Sequence, residues 1–180
     1  MRHDLPLTVA LLSRTPAALN ALLSDLDPAW TRKNEGEETW TVFDVLGHLV
    51  LCEHVNWIPR ARMVLEAGEM QTFAAVDRKG HLELERDKTV ADLLEDFARL
   101  RSQNLATLQT LQLRPEDFER CGRHPALGVV TLSQLLAAWA AHDMTHLHQI
   151  SRIMAHQYRE AVGPWNRYLG VLRCAGHGLP

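Results

Sequence analysis

The run Ala141-His142-Asp143-Met144-Thr145-His146-Leu147-His148-Gln149 holds the side chains of this chain best suited to chemistry. Two histidines stand four residues apart in an otherwise apolar stretch. On a helix, His142 and His146 fall one turn apart on the same face, a geometry in which two imidazoles can grip one metal ion. The inward stripe of that helix runs through Leu135, Leu136, Trp139, His142, Asp143, His146, Gln149 and Ile150. A third histidine, His48, lies on a second apolar stripe with Val45, Leu49, Cys52, Val55 and Asn56. Three imidazoles aimed into one core need partners, because an unpaired buried polar group costs a few kcal/mol. A shared divalent metal answers all three at once. Imidazole suits zinc, nickel, copper and iron without selecting among them. Three protein ligands leave a position for water or substrate, and a metal there makes a bound water or thiol nucleophilic near neutral pH. Asp143, Gln149 and Asn104 are the polar residues placed to orient the imidazoles through their second ring nitrogens.

Blander readings stand beside each of these. HxxxH alone also describes histidines that cover a core edge, and His48 alone reads as a hydrogen-bonded core residue. On spacing, the metal and the hydrogen-bonded core both stay open. Position 143 is Asp, so the glutamate base of an HExxH peptidase is absent. Cys52 follows His48 by one turn and could be a fourth ligand, but a small buried residue is the better reading. Glu53 and His54 read as flanks facing solvent or another subunit, and His148 as surface. No role falls to His3, His81, His124, His156 or His177. Trp57 and Trp139 read as packing that could wall a pocket.

Three of the elements that must carry these residues announce their own starts. Thr41-Val42-Phe43-Asp44, Thr89-Val90-Ala91-Asp92 and Thr131-Leu132-Ser133-Gln134 each place a threonine before an acidic or amide residue three positions on, the pattern of a helix N-cap. With a first apolar segment over about 6–26, the pattern predicts four helices of roughly 20 residues, an all-α four-helix bundle. Pro16 suits the start of a helix, with Thr15 as its cap. Pro59 predicts a kink or break in a second helix spanning about 42–67. Turn-like stretches fall at about 27–39, 68–88, 114–130 and 163–164, and a short terminal helix is expected from Gly163-Pro164-Trp165. The roughly twenty-residue link between helices two and three is the candidate crossover or lid.

The chain of 180 residues is expected to form one domain, 1–180. Its net charge of −3, without a basic stripe, argues against nucleic-acid binding. No run is long and apolar enough for a membrane span. The start of the chain lacks a signal-peptide pattern, and three scattered cysteines form no disulfide framework, so a cytoplasmic setting is expected.

Trp40-Thr41-Val42-Phe43-Asp44-Val45-Leu46-Gly47-His48-Leu49 resembles the first motif, and His142-Asp143 through His146 to Gln149-Ile150 the second, of the DinB/YfiT-like superfamily. The resemblance spans essentially the whole chain. It implies a four-helix bundle whose long connection joins helices two and three, and a divalent metal held by His48, His142 and His146. Zinc or nickel is the metal it implies first, with iron or manganese in some members. It also implies a homodimer and a small-molecule substrate, with a low-molecular-weight thiol as cosubstrate in some members. The leading reading is a metal-dependent transferase or hydrolase. The alternative is a non-catalytic, metal-stabilised bundle acting as a dimeric interaction module. A cluster of Arg60, Arg62, Arg78 and Arg86 could bind a thiol's carboxylates or could equally be solvated surface.

Overall fold

The structure, a computed structural model, describes residues 3–77, 80–84 and 87–174. Its first arm is a pair of short helices, α1 (Leu5–Leu12) and α2 (Thr15–Leu23). A one-turn helix, α3 (Pro28–Thr31), leads to the second arm, α4 (Val42–Val55) and α5 (Trp57–Glu66). The connection that follows contains a short helix, α6 (Gly80–Leu84), packed against α4. Two unbroken helices, α7 (Val90–Thr110) and α8 (Leu132–His156), complete a four-helix bundle. Among the described residues no helix is long and apolar enough to cross a membrane.

Local chemistry sets the helix starts. At Thr41, Thr89 and Thr131 the hydroxyl accepts the backbone N–H three residues on, and the side chain there accepts the threonine's own N–H. These reciprocal boxes satisfy donors that a helix end would otherwise strand. Thr15 does not repeat the pattern. Its hydroxyl donates to Asp143 Oδ2 at 2.6 Å, and Arg14 occupies the N-cap position without a side-chain bond.

The second arm breaks at Asn56 (φ −97°, ψ −73°) rather than at Pro59 itself. Proline offers no N–H to the Val55 carbonyl and its ring crowds that oxygen, so the ladder fails three to four residues upstream. The break carries Val55 out of the expected inward stripe to the surface. Glu53, expected on a solvent-facing flank, is instead buried beside Arg101.

The stretch read as turns before the last helix contains a hairpin, β1 (Cys121–His124) paired antiparallel with β2 (Gly128–Thr131). Gly122 is required there: a Cβ would stand 2.7 Å from Phe73 Cζ and 2.8 Å from Val64 Cγ2. After α8 the expected terminal helix is a 3₁₀ turn, Gly163–Tyr168.

The apolar core divides in two. One cluster is built around Leu46, Leu49, Phe97 and Ile150, the other around Trp57, Leu108, Leu136 and Trp139. A polar layer ties the four arms together between them. Arg101 of α7, 1% exposed, donates to both oxygens of Asp143 on α8 (2.6 and 2.9 Å), to Glu53 on α4 (2.8 Å) and to the Leu12 carbonyl on α1 (2.9 Å). Glu53 also accepts from Trp139 Nε1 (3.0 Å) and Asn104 Nδ2 (2.9 Å). Burial works against the guanidinium charge, but Asp143 and Glu53 outweigh it and hold the arginine above its ordinary pKa.

Truncating one member of such a buried pair leaves the others uncompensated. Arg101→Met is therefore expected to lower stability by about 3–5 kcal/mol in urea denaturation. Thr131→Ala, which removes only the α8 cap, should cost about 1 kcal/mol. Equal losses for the two variants would contradict the dominance of the buried network.

Candidate metal centre

Two helices bring three imidazoles to one point. α4 carries His48 and α8 carries His142 and His146, which the helical repeat stacks on one face. His142 Nε2 stands 3.3 Å from His48 Nε2 and 3.1 Å from His146 Nε2. One ligand atom from each of the three lies within 4.8 Å of the others. His48 and His146 are buried and His142 is half-buried.

The donor chemistry fits a cation. His146 Nδ1 contacts Gln149 Oε1 at 2.8 Å. A carbonyl oxygen only accepts, so this contact puts the proton on Nδ1 and leaves a lone pair on Nε2. A proton on His142 Nε2 could bridge to one neighbouring nitrogen but could not serve two equally. Two nitrogens bound to tetrahedral zinc at about 2.0–2.1 Å stand roughly 3.3 Å apart, close to both observed separations.

The other polar residues expected to orient these rings hold the helices instead. Asp143 is taken up by Arg101 and Thr15. Asn104 donates to the Glu53 carboxylate and carbonyl. Their route to the histidines is through helix position, not contact.

Aromatic rings wall the cluster. Trp57 stacks on Trp139 (5.7 Å between centroids, 9° between planes) and meets His142 edge-on at 5.1 Å. Trp40 lies 4.9 Å from the His48 ring and 5.1 Å from His81. His81, given no role from sequence, is buried on α6, 5.9 Å from the His48 ring. Its signal was weak because α6 is a single short turn in a turn-rich stretch. Arg101 was also missed, although its spacing from Phe97, Asn104 and Leu108 puts it on the inward stripe of α7. His54 and His148 are exposed, as the helical repeat predicts.

Cys52 sits at the edge of the cluster, its Sγ 3.5 Å from His48 Nε2 and 3.9 Å from His142 Nε2. Burial and the neighbouring Glu53 push its pKa up to about 12. Of the four arginines read as a cluster, Arg60 is buried and Arg62 exposed, while Arg78 and Arg86 lie outside the described residues.

Residues 11–150 match the sequence profile of the DinB superfamily, a span that takes in both motifs and all three histidines. The chain belongs to the DinB superfamily. YfiT from Bacillus subtilis, described as a probable metal-dependent hydrolase with an unusual four-helix bundle topology, shares the fold at a TM-score of 0.70 and 24% identity, with 87% of each chain covered. TT2238, described as a four-helix bundle protein, superposes at a TM-score of 0.54 and 24% identity, over 81% of this chain and 97% of its own. No curated protein matches this member of the superfamily.

Because the Cys52 thiol is buried and its ionisation opposed, alkylation tests this environment directly. In metal-free native protein at about pH 8, iodoacetamide should label exposed Cys174 and spare Cys52 until urea is added. Peptide mapping that finds Cys52 labelled as fast as Cys174 would contradict the packing described.

Proposed function

We propose that this protein is a divalent-metal-dependent enzyme of the hydrolase type, with His48, His142 and His146 as the metal ligands and a small molecule as substrate. The observation that carries the reading is the convergence of three Nε2 atoms at 3.1 and 3.3 Å from two different helices. The likeness to YfiT, described as a probable metal-dependent hydrolase, supports the same reading. A bound divalent ion would acidify a water at its open position and polarise a substrate oxygen. Zinc or nickel fits an all-imidazole set.

The chain's own residues prepare that chemistry. Gln149 fixes the tautomer and tilt of His146, so that its Nε2 lone pair faces inward. Trp57, Trp139 and Trp40 keep the cluster in an apolar surround, which strengthens electrostatic interactions within it. The Arg101 network fixes the register of α4 against α8, and with it the spacing of His48 from the other two rings.

Elemental analysis of protein purified without added metal is expected to give close to one equivalent of a transition metal, lost in His146→Ala. Gln149→Leu should keep the fold and weaken metal affinity by about 10–100-fold. No metal as purified together with no uptake on titration would refute the reading. An unchanged affinity in Gln149→Leu would remove Gln149 from it.

A further inference from the structure

The break between α4 and α5 extends the face that carries His48. His48, Cys52, Asn56 and Arg60 follow one another at intervals of four residues. Backbone bonds from Asn56 N to the Cys52 carbonyl and from Arg60 N to the Asn56 carbonyl, both 3.0 Å, carry the line across the break. Cys52 joins its two halves: its Sγ lies 3.5 Å from His48 Nε2 and 3.6 Å from Asn56 Nδ2.

The two residues beyond Cys52 are buried at 8% exposure each, and both are incompletely satisfied. Asn56 Oδ1 has no hydrogen-bond partner. Arg60 has five N–H donors, and among the described residues they make one hydrogen bond, from Nη2 to the Ala74 carbonyl at 3.0 Å. No carboxylate among the described residues pairs with it. Its guanidinium lies over the Phe73 ring, 5.1 Å from the centroid. Burial accordingly lowers the Arg60 pKa from its ordinary value. Holding one backbone carbonyl does not require a cation, and burying an unpaired charge is costly.

A cation on a buried side chain, with no carboxylate partner among the described residues and with N–H groups that solvent still reaches, one turn from a buried acceptor without a donor, describes the missing partner. We propose that Arg60 and Asn56 form the recognition end of the substrate site, binding a small molecule that carries a carboxylate and, close to it, an N–H or O–H donor. The carboxylate meets the Arg60 fork and the donor meets Asn56 Oδ1. The rest of the molecule runs past Cys52 toward the three histidines. An N-acylated amino acid has this arrangement, with its amide N–H beside its carboxylate. The assignment of these two residues to a substrate rests on the histidine cluster being the reaction centre.

Calorimetric titration of the full chain, metal-free and zinc-loaded, with N-acetylglycine, N-acetylglycinamide and N-acetylsarcosine separates the two contacts. N-acetylglycine is expected to bind with a Kd on the order of millimolar or tighter. The amide lacks the charge and the sarcosine lacks the N–H, so each should bind at least about tenfold more weakly. Arg60→Gln should erase the preference for carboxylate over amide. Asn56→Leu should erase the preference for N–H over N-methyl. Arg60→Lys keeps the charge without the fork, and should retain part of the carboxylate preference even if the Gln variant folds poorly. The proposal is overturned if N-acetylglycine does not bind, or if either variant keeps the discrimination of the parent. Tighter, Arg60-dependent binding of inorganic phosphate would overturn the carboxylate assignment. Zinc uptake measured on the same samples keeps the two readings apart. Zinc binding without carboxylate recognition defeats only this proposal, and Arg60-dependent recognition without zinc uptake defeats only the metal centre.

Discussion

The bundle depends on the pairing of one buried arginine with two buried carboxylates. Arg101 reaches Asp143 through two parallel bonds and Glu53 through a third. Thr15, Leu12, Asn104 and Trp139 add further bonds around them, and among the described residues only Arg101 Nε is left without a partner in the layer. A buried network of this kind need not add net stability over an apolar core of the same shape. What it adds is restriction. Leu, Ile and Val can slide by a turn along a groove and still find apolar neighbours, whereas a bidentate arginine–carboxylate pair has one register. The two apolar clusters lie on either side of this layer, so it fixes how the arms meet.

The histidine cluster inherits its geometry from that restriction. Asp143 adjoins His142 in sequence and stands three residues before His146. Glu53 stands five residues after His48. Pinning Asp143 and Glu53 to the same guanidinium sets α8 and α4 in the register that brings the imidazoles within contact. A slide of one turn would move a ring by roughly 5 Å, enough to dissolve the cluster. Asp143, placed by the sequence pattern among residues that orient the imidazoles, thus acts at the level of the helix. The ring-level contact falls to Gln149 alone among the three polar residues considered for it.

What could be read in the sequence was what local chemistry controls. The capping boxes at Thr41, Thr89 and Thr131 need only four consecutive residues, and each marks a helix start. The inward facing of His48, His142 and His146 follows from the 3.6-residue repeat. The hidden part was the part whose meaning lies in its partners. Glu53, between a cysteine and a histidine, reads as a flank, and Arg101, between Leu100 and Ser102, has no neighbour in sequence that marks it as buried. Both nevertheless keep an inward register, Glu53 with Leu46 and Leu49, Arg101 with Phe97, Asn104 and Leu108. Register alone does not mark a charge as buried, because charged residues are rarely buried unless paired, and these partners come from other helices. The hairpin at 121–131 was obscured because its strands are four residues long and lack the alternation that marks a strand.

Arg101 and Arg60 show how accounting for partners separates structure from recognition in one small bundle. Both side chains are buried, Arg101 more deeply than Arg60, and both lie over aromatic rings. Arg101 is answered by two carboxylates and a backbone carbonyl, and its protonated state is reinforced. Arg60 is answered by one carbonyl and meets no carboxylate among the described residues, and burial weakens its hold on the proton. An apolar side chain could fill the Arg60 position without that cost, whereas none could hold Glu53 and Asp143 together. The cost at Arg60 is intelligible if the compensating charge arrives with a ligand, and the line through Asn56 and Cys52 connects that position to the histidines. The proline-induced break that displaced Val55 is what allows the line to continue, since it leaves Asn56 and Arg60 on the buried side of the arm.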